Sequence, residues 1–254
     1  MENKTRQTKI GIIGMGHLGT ALFQGLMRSK KVSRSCIRLS NSSKQNAQIV
    51  TNADIVFLTI KKLKVVEVLH DIKDDLKTDS IIVSAVAGLP IVEIKNILKT
   101  NHHVVRIMPS LPISVGEGII GVYLLTSEVS KYKICNLLSG LGTIIEVDDE
   151  QKLDILTVAS GCGPGVAAYL IQSLTKSYID IGLTRSEALD VALQTIDGTC
   201  ALLKEQNMSP QKLLSQVATK GGITESIVYY FDEHDLSSIV VQGLKKGKQT
   251  LLKY

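Results

Sequence analysis

The residues with the clearest chemical meaning are Gly14-Met15-Gly16-His17-Leu18-Gly19. An apolar run at 9–13 precedes them, and helical spacing over 21–27 follows. In a strand–loop–helix of this kind the first glycine permits the tight turn. The second lets backbone approach a diphosphate, and the third lets helix pack closely on strand. The helix start offers unpaired N–H groups and the positive end of its dipole to the phosphates. The pattern predicts a dinucleotide site built from Gly14, Gly16 and Gly19 with the backbone of Met15, His17 and Leu18. A glycine-rich turn that holds no ligand is the alternative. His17 matters there for its backbone more than for its ring.

The end of the second strand, expected at 36–40, decides which dinucleotide fits. A carboxylate at that point holds an unphosphorylated ribose 2′-OH. This chain reads Leu39-Ser40-Asn41-Ser42-Ser43-Lys44, with no carboxylate. Hydroxyls, an amide and an ammonium at Ser40, Asn41, Ser42 and Lys44 suit a 2′-phosphate. NADPH is therefore preferred, with NADH possible. The same residues also favour a plain turn.

The positioning elements follow from periodicity. Strand-like runs at 9–13, 36–40, 54–60, 80–85 and 104–108 alternate with helical patterns at 21–27, 63–76 and 91–98, which predicts a parallel sheet covered by helices. From about residue 148 the strand signals stop. Helical periodicity then covers 151–181, 186–205, 210–218, 224–231 and 236–252. Thr184 with Glu187 reads as a capping box, and Ser209-Pro210 as a cap followed by a first-turn proline. The expected fold class is α/β: a Rossmann-like dinucleotide-binding domain over 1–147 and an all-helical substrate-binding and dimerisation domain over 148–254.

Bulk properties narrow the classes. Aromatic residues make up 4% of the chain and Trp is absent, which argues against stacking on single-stranded nucleic acid. The net charge is only +5, and the densest basic groups, 4–9 and 245–253, read as solvated surface. Residues 1–9 are too polar for a secretory signal. The richest apolar run, 81–92, is broken by Ser84, Gly88 and Pro90, so no membrane span is expected. Cys36, Cys135, Cys162 and Cys200 are far apart, which argues against zinc and disulfides. The histidines form no ligand set, so hydride chemistry without a metal, in the cytoplasm, is the expectation.

A second constellation lies at Arg106-Ile107-Met108-Pro109-Ser110-Leu111-Pro112, followed by Val115-Gly116-Glu117-Gly118. The prolines make a rigid loop at the carboxyl edge of a sheet, where ligands of open α/β folds bind. Here the sequence resembles the pyrroline-5-carboxylate reductase family, whose strand ends R-x-M-P-N-T-P before V-G-x-G. The likeness runs along nearly the whole chain. Ser84-Ala85-Val86-Ala87-Gly88 resembles its S-x-x-A-G segment, and Thr59-Ile60-Lys61 its A-V-K-P turn, with Lys62 where the proline stands. Asn46-Ala47-Gln48 with Ala53-Asp54-Ile55-Val56 is similar to D-N-A-E…A-D-V-V. Ser160-Gly161-Cys162-Gly163-Pro164 resembles S-G-S-G-P. Gly182-Leu183-Thr184-Arg185 and Ala192-Leu193-Gln194-Thr195 resemble G-L-x-R…A-x-Q-T. Thr219-Lys220-Gly221-Gly222-Ile223-Thr224 resembles S-P-G-G-x-T.

The resemblance implies an enzyme that reduces the cyclic imine 1-pyrroline-5-carboxylate to proline, the last step of proline biosynthesis. It implies cofactor contacts at Asn46 (adenosine part), Thr59, Ile60, Lys61 and Ala87. Substrate contacts would fall at Met108, Pro109, Thr219, Gly221, Gly222 and Thr224, with Thr224 near the ring nitrogen. Two glycines at a helix start expose N–H groups suited to the substrate carboxylate. A plain helix–helix turn is the alternative there.

Ser110-Leu111 replaces Asn-Thr, Cys162 replaces a serine, Gly165-Val166 replaces Ala-Tyr and Lys220 replaces a proline. Between Lys44 and Asn46 the family has a helix and a strand that one residue cannot supply, so the sheet is expected to lose an edge strand. A reductase of a related cyclic imine acid and a non-catalytic paralogue that keeps NADPH binding are the rivals. A β-hydroxyacid dehydrogenase would use a lysine and an amide on the inter-domain helix, but Asp180 follows Lys176. Apolar helices at 155–174 and 239–252 point to a homodimer, and the family adds larger rings of dimers.

Overall fold

The computed structural model of the protein describes residues 7–99, 101–124, 128–251 and 253. Residues 4–6 of the first basic group and Leu252 of the last expected helix lie outside them. Packing divides the chain into one compact unit of 1–164 with 247–254, and a second of 165–246.

The first unit is built on seven strands: β1 (Ile10–Ile13), β2 (Ile37–Ser40), β3 (Ile55–Leu58), β4 (Ile81–Ser84), β5 (His103–Pro109), β6 (Gly118–Leu124) and β7 (Gly142–Val147). Their order is β2-β1-β3-β4-β5-β6-β7. Helices α1 (His17–Ser29), α2 (Ser43–Val50), α3 (Lys62–Ile72) and α4 (Ile91–Leu98) lie between the first strands, and α5 (Glu128–Leu138) between β6 and β7. Strands β1, β3, β4 and β5 are buried on both faces, as near-continuous Ile/Val runs require. Ile12, Phe57, Val83 and Val105 pack on one face with Leu22 and Leu26 of α1 and Ile134 and Leu138 of α5. Val56, Ile82 and Val104 pack on the other with Val65, Leu69, Ile91 and Ile94.

The expected parallel sheet holds from β2 through β5, but β5 and β6 run antiparallel. The reason is length. A parallel crossover needs about a dozen residues or more. Only 110–117 separates these strands, and a 3₁₀ turn at Leu111–Val115 occupies most of it. The expected loss of an edge strand is seen: β2 passes through α2 directly to β3, and among the described residues no strand lies outside β2.

Helix α6 (Glu150–Leu156) leads into a π-helical turn, Thr157–Gly161. There the Cys162 N–H reaches back to Thr157 O at 3.1 Å. Pro164 has no N–H to give Ser160 O, which favours such an irregular turn. Then come α7 (Gly163–Asp180), α8 (Arg185–Glu205), α9 (Pro210–Val217), α10 (Ile223–Glu233) and α11 (Leu236–Leu251). The capping box is present: Glu187 N–H donates to Thr184 Oγ1 at 3.4 Å, and Thr184 N–H to Glu187 Oε2 at 2.9 Å. Ser209 Oγ accepts from Lys212 N at 3.2 Å. The expectation that no segment reaches membrane length needs amending, because Glu150–Asp180 is long and apolar enough by length and composition. In the second unit only Ala188 and Ala192, both on α8, are buried among the described residues.

Arg106 of β5 is the largest fully buried side chain. Its Nη1 lies 2.8 Å from Glu150 Oε1 and its Nη2 lies 3.0 Å from Asp154 Oδ1, both on α6. Glu150 Oε1 also accepts the Ile91 N–H at 2.9 Å, capping the start of α4. Tyr123 stands opposite Arg106 on β6, and its hydroxyl pKa is raised, first by burial and then by Glu150 and Asp149. Replacing Arg106 with Met leaves two carboxylates facing apolar surface. The expected loss is roughly 2–4 kcal/mol, below the fully buried case because both carboxylates keep some water. Urea unfolding should show it, with a smaller loss for Asp154→Asn, which keeps the Glu150 contact.

Candidate active site at the carboxyl edge of the sheet

The glycine loop is held by close backbone approach. Gly14 has φ +97°, and a Cβ there would fall 2.5 Å from Ile60 Cγ2. Its N–H donates to Ser40 O at 2.9 Å, tying the loop to the end of β2. A Cβ on Gly19 would meet Gly14 O at 2.0 Å. Thr59 Oγ1 lies 2.6 Å from Gly14 O and 3.1 Å from Ile13 O, so one buried proton braces both carbonyls. Gly16 differs: a Cβ there would find nothing within 4 Å. It is the N-cap of α1 and faces open space, the geometry a diphosphate needs. Exposed His17 and half-buried Met15 and Leu18 complete the loop. Met15, Gly16, His17 and Thr20 line a cavity of about 450 Å³ with Leu111 and Ser114.

The residues after β2 divide by role. Asn41 Oδ1 accepts the Met15 N–H at 2.8 Å, so this amide fixes the glycine loop. Buried Ser40 donates to Asn46 Oδ1 at 2.7 Å, which closes the start of α2 internally. Ser42 and Lys44 are exposed. Lys61 is exposed at the N-cap of α3, Ile60 and Ala87 are half-buried, and Met108 and Pro109 are buried at the end of β5. Ser110 Oγ accepts the Ile119 N–H at 2.9 Å, so the residue that replaces an asparagine closes the β5–β6 turn. Leu111 beside it is exposed. A larger cavity, about 960 Å³, opens at the opposite edge, among Lys30, Lys31, Arg34 and Lys133. It touches none of these residues.

The charge pattern at the carboxyl edge is one-sided. Segments 14–20, 40–46, 59–64, 84–90 and 109–116 contain no Asp or Glu, but they contain His17, Lys44, Lys61, Lys62 and Lys64. An anion-rich ligand fits here, and a dinucleotide diphosphate supplies such charge.

In the second unit, the segment Thr219–Thr224 leads into the first turn of α10. Gly221 has φ +74°. Its N–H donates to Glu225 Oε2 at 2.6 Å, and the Gly222 N–H to Thr219 O at 2.8 Å. Both glycine amides are thus engaged within the loop. The amides that open α10, those of Ile223, Thr224 and Glu225, are the ones a helix start leaves for an anion. Thr224 is half-buried there. Sequence reasoning missed the roles of Asn41, Thr59 and Glu225. A glutamate three residues past an N-cap glycine was the available signal for the last.

Comparison with known proteins decides the family. The chain is 30% identical to the pyrroline-5-carboxylate reductase of Pseudomonas aeruginosa over 95% of its own length and 94% of that protein's. The chain belongs to the pyrroline-5-carboxylate reductase family. The Aquifex aeolicus reductase is 28% identical, over 95% of each chain. The family description "pyrroline-5-carboxylate reductase dimerisation" matches residues 150–251, and "NADP oxidoreductase coenzyme F420-dependent" matches 9–88. The structure of Plasmodium falciparum pyrroline carboxylate reductase with NADP bound superposes with a TM-score of 0.88 at 25% identity, covering 99% of this chain and 98% of that one. Family membership makes the chain an oxidoreductase that uses a nicotinamide cofactor, and the apolar run in Glu150–Asp180 falls inside the matched dimerisation region.

Gly16 and Gly19 can be separated experimentally. Gly16→Glu should fold with an unchanged melting temperature yet lose NADPH binding in a fluorescence titration. Gly19→Ala should lower stability by about 1–3 kcal/mol through overpacking, because its Cβ meets backbone.

Proposed function

We propose that this protein reduces 1-pyrroline-5-carboxylate to proline with NADPH as the preferred cofactor and works as a homodimer. The single observation that carries the substrate is the likeness to reductases of that name over nearly the full chain. When bound, the nicotinamide supplies a hydride to the imine carbon.

The chain's own residues supply position and charge. Gly16 leaves room for the diphosphate, and the start of α1 neutralises part of its charge. Exposed Ser42 and Lys44 lie at the end of β2, where a 2′-phosphate is recognised, and no carboxylate there repels it. The first amides of α10 bind the substrate carboxylate. Thr224 Oγ1 accepts the N–H of the protonated imine, which keeps the carbon electrophilic until the hydride arrives. A protonated imine needs orientation more than a strong acid. Thr59, Ile60, Lys61 and Ala87 line the cofactor's path, and Asn46 holds Ser40 in place behind it. The family resemblance is what supports substrate contacts at Met108 and Pro109.

The dimer rests on surface chemistry. Tyr169, Ile181, Ile223, Tyr229 and Ile239 are each more than half exposed in the single chain. A second copy that covers these helices removes a large apolar area from water. Sedimentation at micromolar concentration should give at least a dimer, and a monomer would refute this part.

NADPH oxidation with 1-pyrroline-5-carboxylate is the direct assay. Thr224→Ala should lower kcat/KM by about 10–100-fold, the worth of one hydrogen bond to a charged group. Lys44→Met should weaken NADPH roughly tenfold and leave NADH unchanged. NADPH binding without turnover would identify a non-catalytic paralogue.

A further inference from the structure

Two neighbouring lysines open α3, and they differ. Lys61 is exposed, while Lys62 is half-buried. A Cβ built on Gly88, in the loop after β4, would have Lys62 Nζ at 3.6 Å and no other atom within 4 Å. The Lys62 side chain therefore runs along the carboxyl edge from β3 to the β4 loop. No hydrogen bond or ion pair of Lys62 occurs among the described residues, and the edge segments around it hold no carboxylate. Its ammonium faces the crevice uncompensated.

The sheet order says which part of a dinucleotide meets it. The diphosphate sits at the start of α1, and the ribose that carries the 2′ group lies at the end of β2. Because β1 separates β2 from β3, the other nucleoside extends over β3 and β4. That half carries the nicotinamide, whose ring is neutral when reduced and bears one positive charge when oxidised. Like charges repel more strongly in a partly dry crevice than in water.

We infer that Lys62 is a specificity-determining residue for cofactor redox state, and that its ammonium weakens the hold on the oxidised nicotinamide relative to the reduced one. This rests on the reading of the chain as a nicotinamide-dependent reductase. It favours loading of the hydride donor and release of the spent cofactor. A lysine that merely bound ribose or phosphate would strengthen both forms alike.

Binding of NADPH and NADP+ to the full chain, measured by calorimetry, distinguishes these. Lys62→Met should tighten NADP+ relative to NADPH by about three- to tenfold. Lys62→Arg should keep the wild-type ratio, as should Lys64→Met on the exposed side of the same turn. Equal loss of both forms in Lys62→Met, or an unchanged ratio, would overturn the inference alone. Wild-type protein that binds neither form would overturn the reductase reading and this inference with it.

Discussion

A guanidinium in the sheet's interior fixes where the strands end and the helices begin. Arg106 rises from β5 into an apolar layer and, among the described residues, is answered only by Glu150 and Asp154 of α6. Such a charge cannot be left alone in low dielectric, so α6 has to lie over β5. Through the same Glu150 oxygen, the start of α4 is tied to α6. Hydrophobic contacts alone would let these elements slide. The fork of two carboxylates gives them one register, and the π-helical turn follows one helical segment later.

The carboxyl edge follows a different rule. Its neutral groups satisfy one another, as Asn41 does for Met15, Thr59 for Gly14, and Ser110 for Ile119. Its cations do not. A site arranged this way is rigid in its backbone and unneutralised in its charge, which suits a polyanionic ligand held by preformed donors.

Much of this was legible in the residues. Continuous β-branched runs marked β1, β3, β4 and β5, and the capping signals at Thr184 and Ser209 marked real helix starts. The glycine loop was readable because Gly14 and Gly19 answer steric demands of the fold and Gly16 leaves open space beside a helix start. The antiparallel turn into β6 was not, since it depends on the shortness of 110–117 rather than on any motif. Helix α2 was hidden by its serines and asparagine, which favour turns until Ser40 and Asn46 pair. Partner choice also escaped. Asn41 Oδ1 accepts the Met15 N–H and the Gly221 N–H donates to Glu225, pairings that residue type alone does not announce. Residue type fixes what a group can bond, and only the fold decides which neighbour reaches it first.

The sheet's abbreviated flank has a colloidal consequence. With no strand outside β2 among the described residues, its outer row of backbone groups is a template for unwanted pairing with other chains. The strand guards itself by being only four residues long and by carrying exposed Arg38 at its middle, with Arg34 just before it. Short length and positive charge make that border a poor seed for aggregation, so the shortened domain stays protected against self-association along this margin.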